Sequence, residues 1–255
     1  MQGNYAHYRF GSQVLKSLPQ QRQRSIQRFR QMYTMGTYGP DIFYFHNPLT
    51  EKGFAQAEQL HGLTGEAFFT RCCEILKNNP SEAGQAYLFG LLSHYCLDSA
   101  CRDFIRENLG LASKTEIGVE FDRFLLTSDG KTPACSHDFS GPMKLTRGEC
   151  VTVSAFYPPM TPAAISSAVG NMRRLTRWLT GKNRKTLARL LSVCPSHIRH
   201  RLMASPANHK CLHLNEKLLS CYVSGVAAFP ELARQLTEHL ESGAPLGEGF
   251  GGSFH

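Results

Sequence analysis

The chain has 255 residues, 42% of them hydrophobic, enough to build a sizeable core in one large domain or two small ones. Its 28 Lys and Arg outnumber 20 Asp and Glu, a formal net charge of +8, which admits anionic partners such as phosphate esters, nucleic acid or lipid headgroups. No apolar run reaches the roughly 18 residues that a membrane-spanning helix needs, and the polar start MQGNYAHYRF lacks a signal peptide's apolar region. No transmembrane segment is therefore expected, and the cytoplasm is the expected compartment. The nine cysteines are odd in number and contain no CxxC pair, so they read as reduced thiols filling the core and not as a disulfide framework or a zinc finger.

Taken in order, Tyr5 to Leu18 has the spacing of a short amphipathic helix, with His7 at its beginning and Pro19 at its end. Gln20 to Met35 reads as a second helix with a basic face of Arg22, Arg24, Arg28 and Arg30. Gly39-Pro40 then breaks the helical pattern and sets Asp41 on a stiffened turn. In isolation Asp41 is equally an ordinary helix cap. Gly53 to Leu63 and Gly65 to Asn78 follow as two more helices, the first carrying His61 near its end.

Ser81 to Leu109 is the stretch around which the rest is organised. Its residues are apolar or small nearly all round (Ala86, Leu88, Phe89, Leu91, Leu92, Leu97, Ala100, Cys101), as in a buried helix. Within it His94 and Asp98 stand four apart, which puts an imidazole and a carboxylate on one face. Such a pair can grip a metal, or it can be a simple hydrogen-bonded couple. Either way a buried carboxylate needs a partner.

Lys114 to Thr127 continues with helical spacing, and Glu116, Glu120 and Arg123 can pair on its polar side. From Ser128 to Pro162 the texture changes to Gly, Pro, Ser and Asp around a short run, Cys150 to Tyr157, readable as a strand. This predicts a long excursion or lid within one domain spanning 1–255. Pro162 to Thr180, Lys182 to Cys194, Leu212 to Val226 and Pro230 to Leu240 complete a helical array, with a basic stretch over 195–203. The glycine-rich tail either packs as coil or stays mobile. No phosphate-cradling GxGxxG or GxxxxGK[ST] motif and no repeat of 20 to 50 residues is present.

The segments YAHYRFG, MGTYGPDIFYF, QLHGLTGEAFF, LFGLLSHYCLDSACRDF and EIGVEFDRFLL, in this order, resemble the zinc-dependent phospholipase C family, relatives of the bacterial phosphatidylcholine-hydrolysing enzymes and of fungal single-strand nucleases. The likeness covers roughly residues 4 to 126. It implies an all-α, multi-helix domain with the irregular excursion around 128–162. It also implies zinc held by His7, Asp41, His61, His94 and Asp98, four of which (Asp41, His61, His94, Asp98) form one mixed nitrogen and oxygen centre. His46 remains an alternative to His61.

Departures from the family pattern matter equally. A histidine and a proline of the family fall here on Arg102 and Asp103, and a further H-x-x-x-E pair on Lys114 and Gly118, so a second zinc site is expected to be absent. The family's amino-terminal ligand is exposed by processing, and this chain begins with Met1, which leaves a centre at His7 short of a partner. One zinc ion is the expectation, with two or three as alternatives. Arg102 and Lys114 put two fixed cations where an ion would have been and are candidates to bind phosphate directly.

Three functions are thereby open. The first is a zinc-dependent, phospholipase C-like hydrolase of a phosphoester or phospholipid-like ligand with a reduced metal centre. The second is a non-catalytic relative that keeps one ion for structure or binds a phosphorylated ligand through Arg102 and Lys114. Nucleic-acid binding near Arg173, Arg174, Arg184, Lys185, Arg199 and Arg201 rests on charge alone, without an interleaved aromatic platform, and is not expected.

Overall fold

A chain whose longest apolar stretch lies mid-sequence has to wrap its other helices around it. In the computed structural model, which describes residues 3–46, 58–59, 62–158, 160–180, 199–204 and 206–253, it does so. The elements are α1 (Asn4–Val14), α2 (Gln20–Arg28), α3 (Arg30–Thr37), a 3-10 helix (Gly39–Phe45), α4 (Gly65–Asn78), α5 (Glu82–Glu107), α6 (Lys114–Ser128), α7 (Arg147–Ala155), α8 (Pro162–Leu179) and α9 (Asn215–Ser242), with four further 3-10 turns. The fold is all-α. No strand occurs among the described residues, only an isolated bridge between Thr64 and Ser253.

The Ser81 side chain caps α5 by accepting from the Gly84 N–H at 3.0 Å. Every residue of α5 from Ala86 to Asp98 is buried, so the helix is enclosed on all sides and can hold polar groups away from water. The tightest of its contacts is with α3. A Cβ on Gly36 would lie 2.3 Å from the Tyr87 carbonyl oxygen, and one on Gly90 2.1 Å from the Tyr33 carbonyl oxygen. The two helices therefore touch backbone to backbone, which only glycine allows. The Tyr33 hydroxyl donates to the Gly11 carbonyl at 2.7 Å and ties α1 into the same crossing.

Several sequence expectations are corrected. The helix expected over Gln20 to Met35 is two, because Phe29 leaves helical geometry (φ −117°, ψ 35°). The run expected as a strand, Cys150 to Tyr157, is mostly α7. Its alternating valines suggest a strand, but Thr146 and Glu149 form a capping box at its start. Its buried residues Cys150, Val153, Phe156 and Tyr157 follow the helical period. These residues join the core, where the Tyr87 hydroxyl donates to that of Tyr157 at 3.1 Å, so this part of the excursion is packed structure and not a cover.

The pair of helices expected around Pro230 is one continuous α9. Proline removes a single N–H, while buried Phe229, Leu232, Ala233 and Leu236 hold the helix on either side of the ring to the core. The tail packs: Phe250 is buried against Phe69 and Tyr95. All the cysteines among the described residues are free, and only Cys221 is not buried. The helix expected over Lys182 to Cys194 lies outside the described residues, as does most of the one expected over Gly53 to Leu63.

Gly90→Ala is expected to lower stability by about 1–3 kcal/mol, the usual penalty of overpacking. A matched Gly110→Ala, where an added Cβ meets nothing within 4 Å, should leave the thermal midpoint almost unmoved. Equal midpoints for the two variants would contradict the backbone contact.

Candidate metal centre

Where α3 leaves α5 the chain must turn sharply. It does so at Gly39, whose φ of +52° lies in the left-handed region. The turn closes over one side chain, His94: a Cβ at Gly39 would fall 2.6 Å from the His94 ring. The Thr37 carbonyl accepts from the His94 Nδ1–H at 3.2 Å, which fixes the tautomer and leaves Nε2 to act as a ligand. Pro40 follows as an early residue of the 3-10 helix and carries Asp41 inward.

His7 reaches the same place from α1, its ring stacked on that of His94 at 4.1 Å between centroids and 17° between planes. The donor atoms of His7, Asp41 and His94 all lie within 4.8 Å of one another. Asp98 stands behind both imidazoles, its Oδ1 3.2 Å from His7 Nε2 and its Oδ2 3.5 Å from His94 Nε2. These four residues are sealed from solvent, at 1% (His7), 2% (Asp41), 0% (His94) and 1% (Asp98) exposure. Burial alone would raise the Asp98 carboxyl. The positive groups around it, His94 and His7 among them, together with the His7 hydrogen bond, hold it well below the usual carboxylate range.

The donor set fits zinc. It offers two imidazoles and a carboxylate, the borderline ligands that zinc takes, and ligand atoms around tetrahedral zinc stand about 3.3 Å apart. Donors within 4.8 Å need only a small inward rotation to reach that spacing. The set is buried beside a carboxylate that accepts from His7 and stands 3.5 Å from His94 Nε2, and metal-ligating histidines are commonly backed by such a carboxylate. His7 is not stranded in a centre of its own, as the sequence suggested. It shares Asp98 with His94 and closes on the same point as Asp41.

His61 lies outside the described residues. His46 follows the 3-10 helix as its cap and is half-buried, but it is not a member of the cluster found among the described residues. Arg102 points to the tail: its Nη2 donates to Ser99 Oγ at 2.8 Å and to the Ser253 carbonyl. Lys114 opens α6 in a half-buried position.

Two residues that pattern reading did not assign to the site stand next to it. Asp122 of α6 accepts from the backbone N–H of Tyr5 at 3.0 Å and of Ala6 at 2.8 Å, so it caps the helix that carries His7. Burial pushes its carboxyl up to about 7 in spite of those N–H groups. Arg201 is no surface charge. Its guanidinium stacks over Phe45 at 4.5 Å and Tyr44 at 5.6 Å. The EFDRF segment held the signal for Asp122, a carboxylate on the apolar side of a helix. For Arg201 nothing in its basic surroundings distinguished it.

No helix among the described residues is long and apolar enough to cross a membrane. No curated protein and no solved structure matches the chain. A family model, described as zinc dependent phospholipase C, matches residues 6–101, so the part of the chain that holds His7, Asp41, His94 and Asp98 is similar to the zinc-dependent phospholipase C family.

Proposed function

We propose that the protein is a phosphoester hydrolase of the phospholipase C type that works with a reduced metal centre of one zinc ion, acting on a phospholipid-like diester. The observation that carries this reading is the convergence of His7, Asp41 and His94, from three separate elements, on one buried point backed by Asp98. Bound there, zinc supplies Lewis acidity towards a phosphoryl oxygen and makes water a better nucleophile. The chain's own residues do the rest. Asp98 accepts from His7 and balances positive charge in the core, the Thr37 carbonyl sets the His94 tautomer, and the Gly39 turn holds Asp41 against the ring. His61, by family likeness, is proposed as a fourth ligand.

A non-catalytic relative that keeps its ion for structure is the competing reading, and the near-complete burial of the donors favours it. A role for Arg102 and Lys114 in gripping phosphate belongs to that reading, and for Arg102 it would use guanidinium donors other than those bonded to Ser99 and Ser253. Elemental analysis combined with a chromogenic phosphocholine diester separates the two. Purified protein should carry one zinc per chain, and His94→Ala should lose both ion and turnover while remaining helical by circular dichroism. Bound zinc without turnover in the wild type would leave the structural role; no bound zinc would defeat both readings.

Asp98→Asn should weaken zinc binding by about 10- to 100-fold, the usual cost of removing a carboxylate that orients metal-bound histidines, measured by chelator competition. Unchanged affinity would remove Asp98 from the centre. Gly39→Ala, which drives a methyl into the His94 ring, should likewise release zinc at lower chelator concentration than Gly110→Ala does.

A further inference from the structure

Beside the metal centre is a cavity of about 40 Å³ lined by, among others, Asn4, Phe45, Asp122, Thr176, Thr180 and Arg201. That is several times the about 10–15 Å³ a single water requires. It adjoins the centre on two sides: Asn4 lies one helical turn from His7 on α1, and Phe45 ends the 3-10 helix that carries Asp41.

The guanidinium on its wall is unusual. Arg201 is 8% exposed, its Nε meets no hydrogen-bond partner, and among the described residues it closes no salt bridge. Asp41, Tyr44 and Asp122 act on it through their fields, Tyr44 also through its ring face. Removing a cation from water is costly unless a partner is supplied, and aromatic faces return only part of that cost. The Asp122 carboxylate is on the same wall, yet its two oxygens are turned to the Tyr5 and Ala6 N–H groups. Asn4 Oδ1 is also buried without a partner. Its amide can present NH2 to the cavity instead, since the two amide ends are interchangeable by rotation. A donor fork, an amide and a space of small-anion size make a receptor for a tetrahedral oxyanion.

We propose that this cavity binds a phosphate or phosphoryl group through the Arg201 guanidinium. As the substrate side of the proposed hydrolase the site rests on that reading, but the anion binding itself does not require the metal. Arg201 would be a substrate-positioning residue, supplying a fixed charge near the ion with the planar, two-pronged geometry that matches phosphate oxygens.

Isothermal titration of inorganic phosphate into chelator-treated full-length protein tests this directly. Wild type should bind, Arg201→Met should bind at least ten times more weakly, and Arg201→Lys, which keeps charge but loses the fork, should fall between. If Arg201→Met does not fold, Arg201→Lys carries the comparison. His94→Ala should bind phosphate as the wild type does, so loss of zinc and loss of the anion site are read separately. Displacement of phosphate by a short-chain phosphatidylcholine identifies a substrate phosphodiester as the occupant, and no displacement identifies free phosphate, both through Arg201. Absence of phosphate binding, binding only by zinc-loaded protein, or binding undiminished in both Arg201 variants overturns the assignment.

Discussion

The backbone contact of Gly36 with Gly90 is the constraint from which the rest of this structure follows. Two helices pressed together without intervening side chains leave no freedom in their relative height or rotation. Thr37 is the residue after Gly36, and His94 is one turn beyond Gly90. Fixing the crossing therefore fixes the carbonyl of the first against the imidazole of the second. Gly39 then reverses the chain over the ring, and Asp41 arrives at the donor cluster because the turn has nowhere else to go. The centre is pre-organised by packing that takes no part in chemistry.

Electrostatics makes this packed corner a candidate cation site. An anionic Asp98 with two imidazoles around it, all shielded from water, is a net negative or neutral group in a medium that tolerates neither unpaired charge nor unpaired donors. The two rings are stacked at 4.1 Å between centroids, and both stand against the same carboxylate. Metal ligation requires imidazoles that are not protonated at the ligating nitrogen beside an ionised carboxylate, and a bound cation would supply the positive charge that this buried carboxylate needs. Asp98, held well below the usual carboxylate range by the positive groups around it against the pull of its burial, stays an anion for such a cation to meet.

Much of this was legible in the chain. A run of apolar residues with one histidine and one aspartate four apart announces a buried helix with a polar face, and Gly-Pro-Asp announces a turn that presents a carboxylate. What could not be read was which residues meet across 50 to 90 positions of sequence. His7 looked isolated because periodicity says nothing about contacts between helices, and it was packing that brought its ring onto His94. Cys150 to Tyr157 looked extended because β-branched residues dominate locally, whereas the Thr146 cap and a buried face at helical spacing decided the outcome. Pro230 looked like a boundary because one lost hydrogen bond is visible in sequence and the burial that offsets it is not. Arg201 looked like any other arginine in a basic stretch. Only the fold distinguishes a guanidinium in water from one stacked on Tyr44 and Phe45.

Exchanging a metal ion for an arginine alters what a site can do, and the alteration runs in one direction. A guanidinium delivers charge and two aligned donors, so it can hold a phosphoryl group and favour an anion as it forms. It has no vacant orbital for a phosphoryl oxygen and cannot make water acidic, which an ion does. A centre with one ion flanked by Arg201 would therefore divide between two groups what clustered ions do together, binding and orientation at the arginine and activation at the metal. The ion is needed for the step that no side chain can supply, whereas the grip on the anion is the part a side chain can take over.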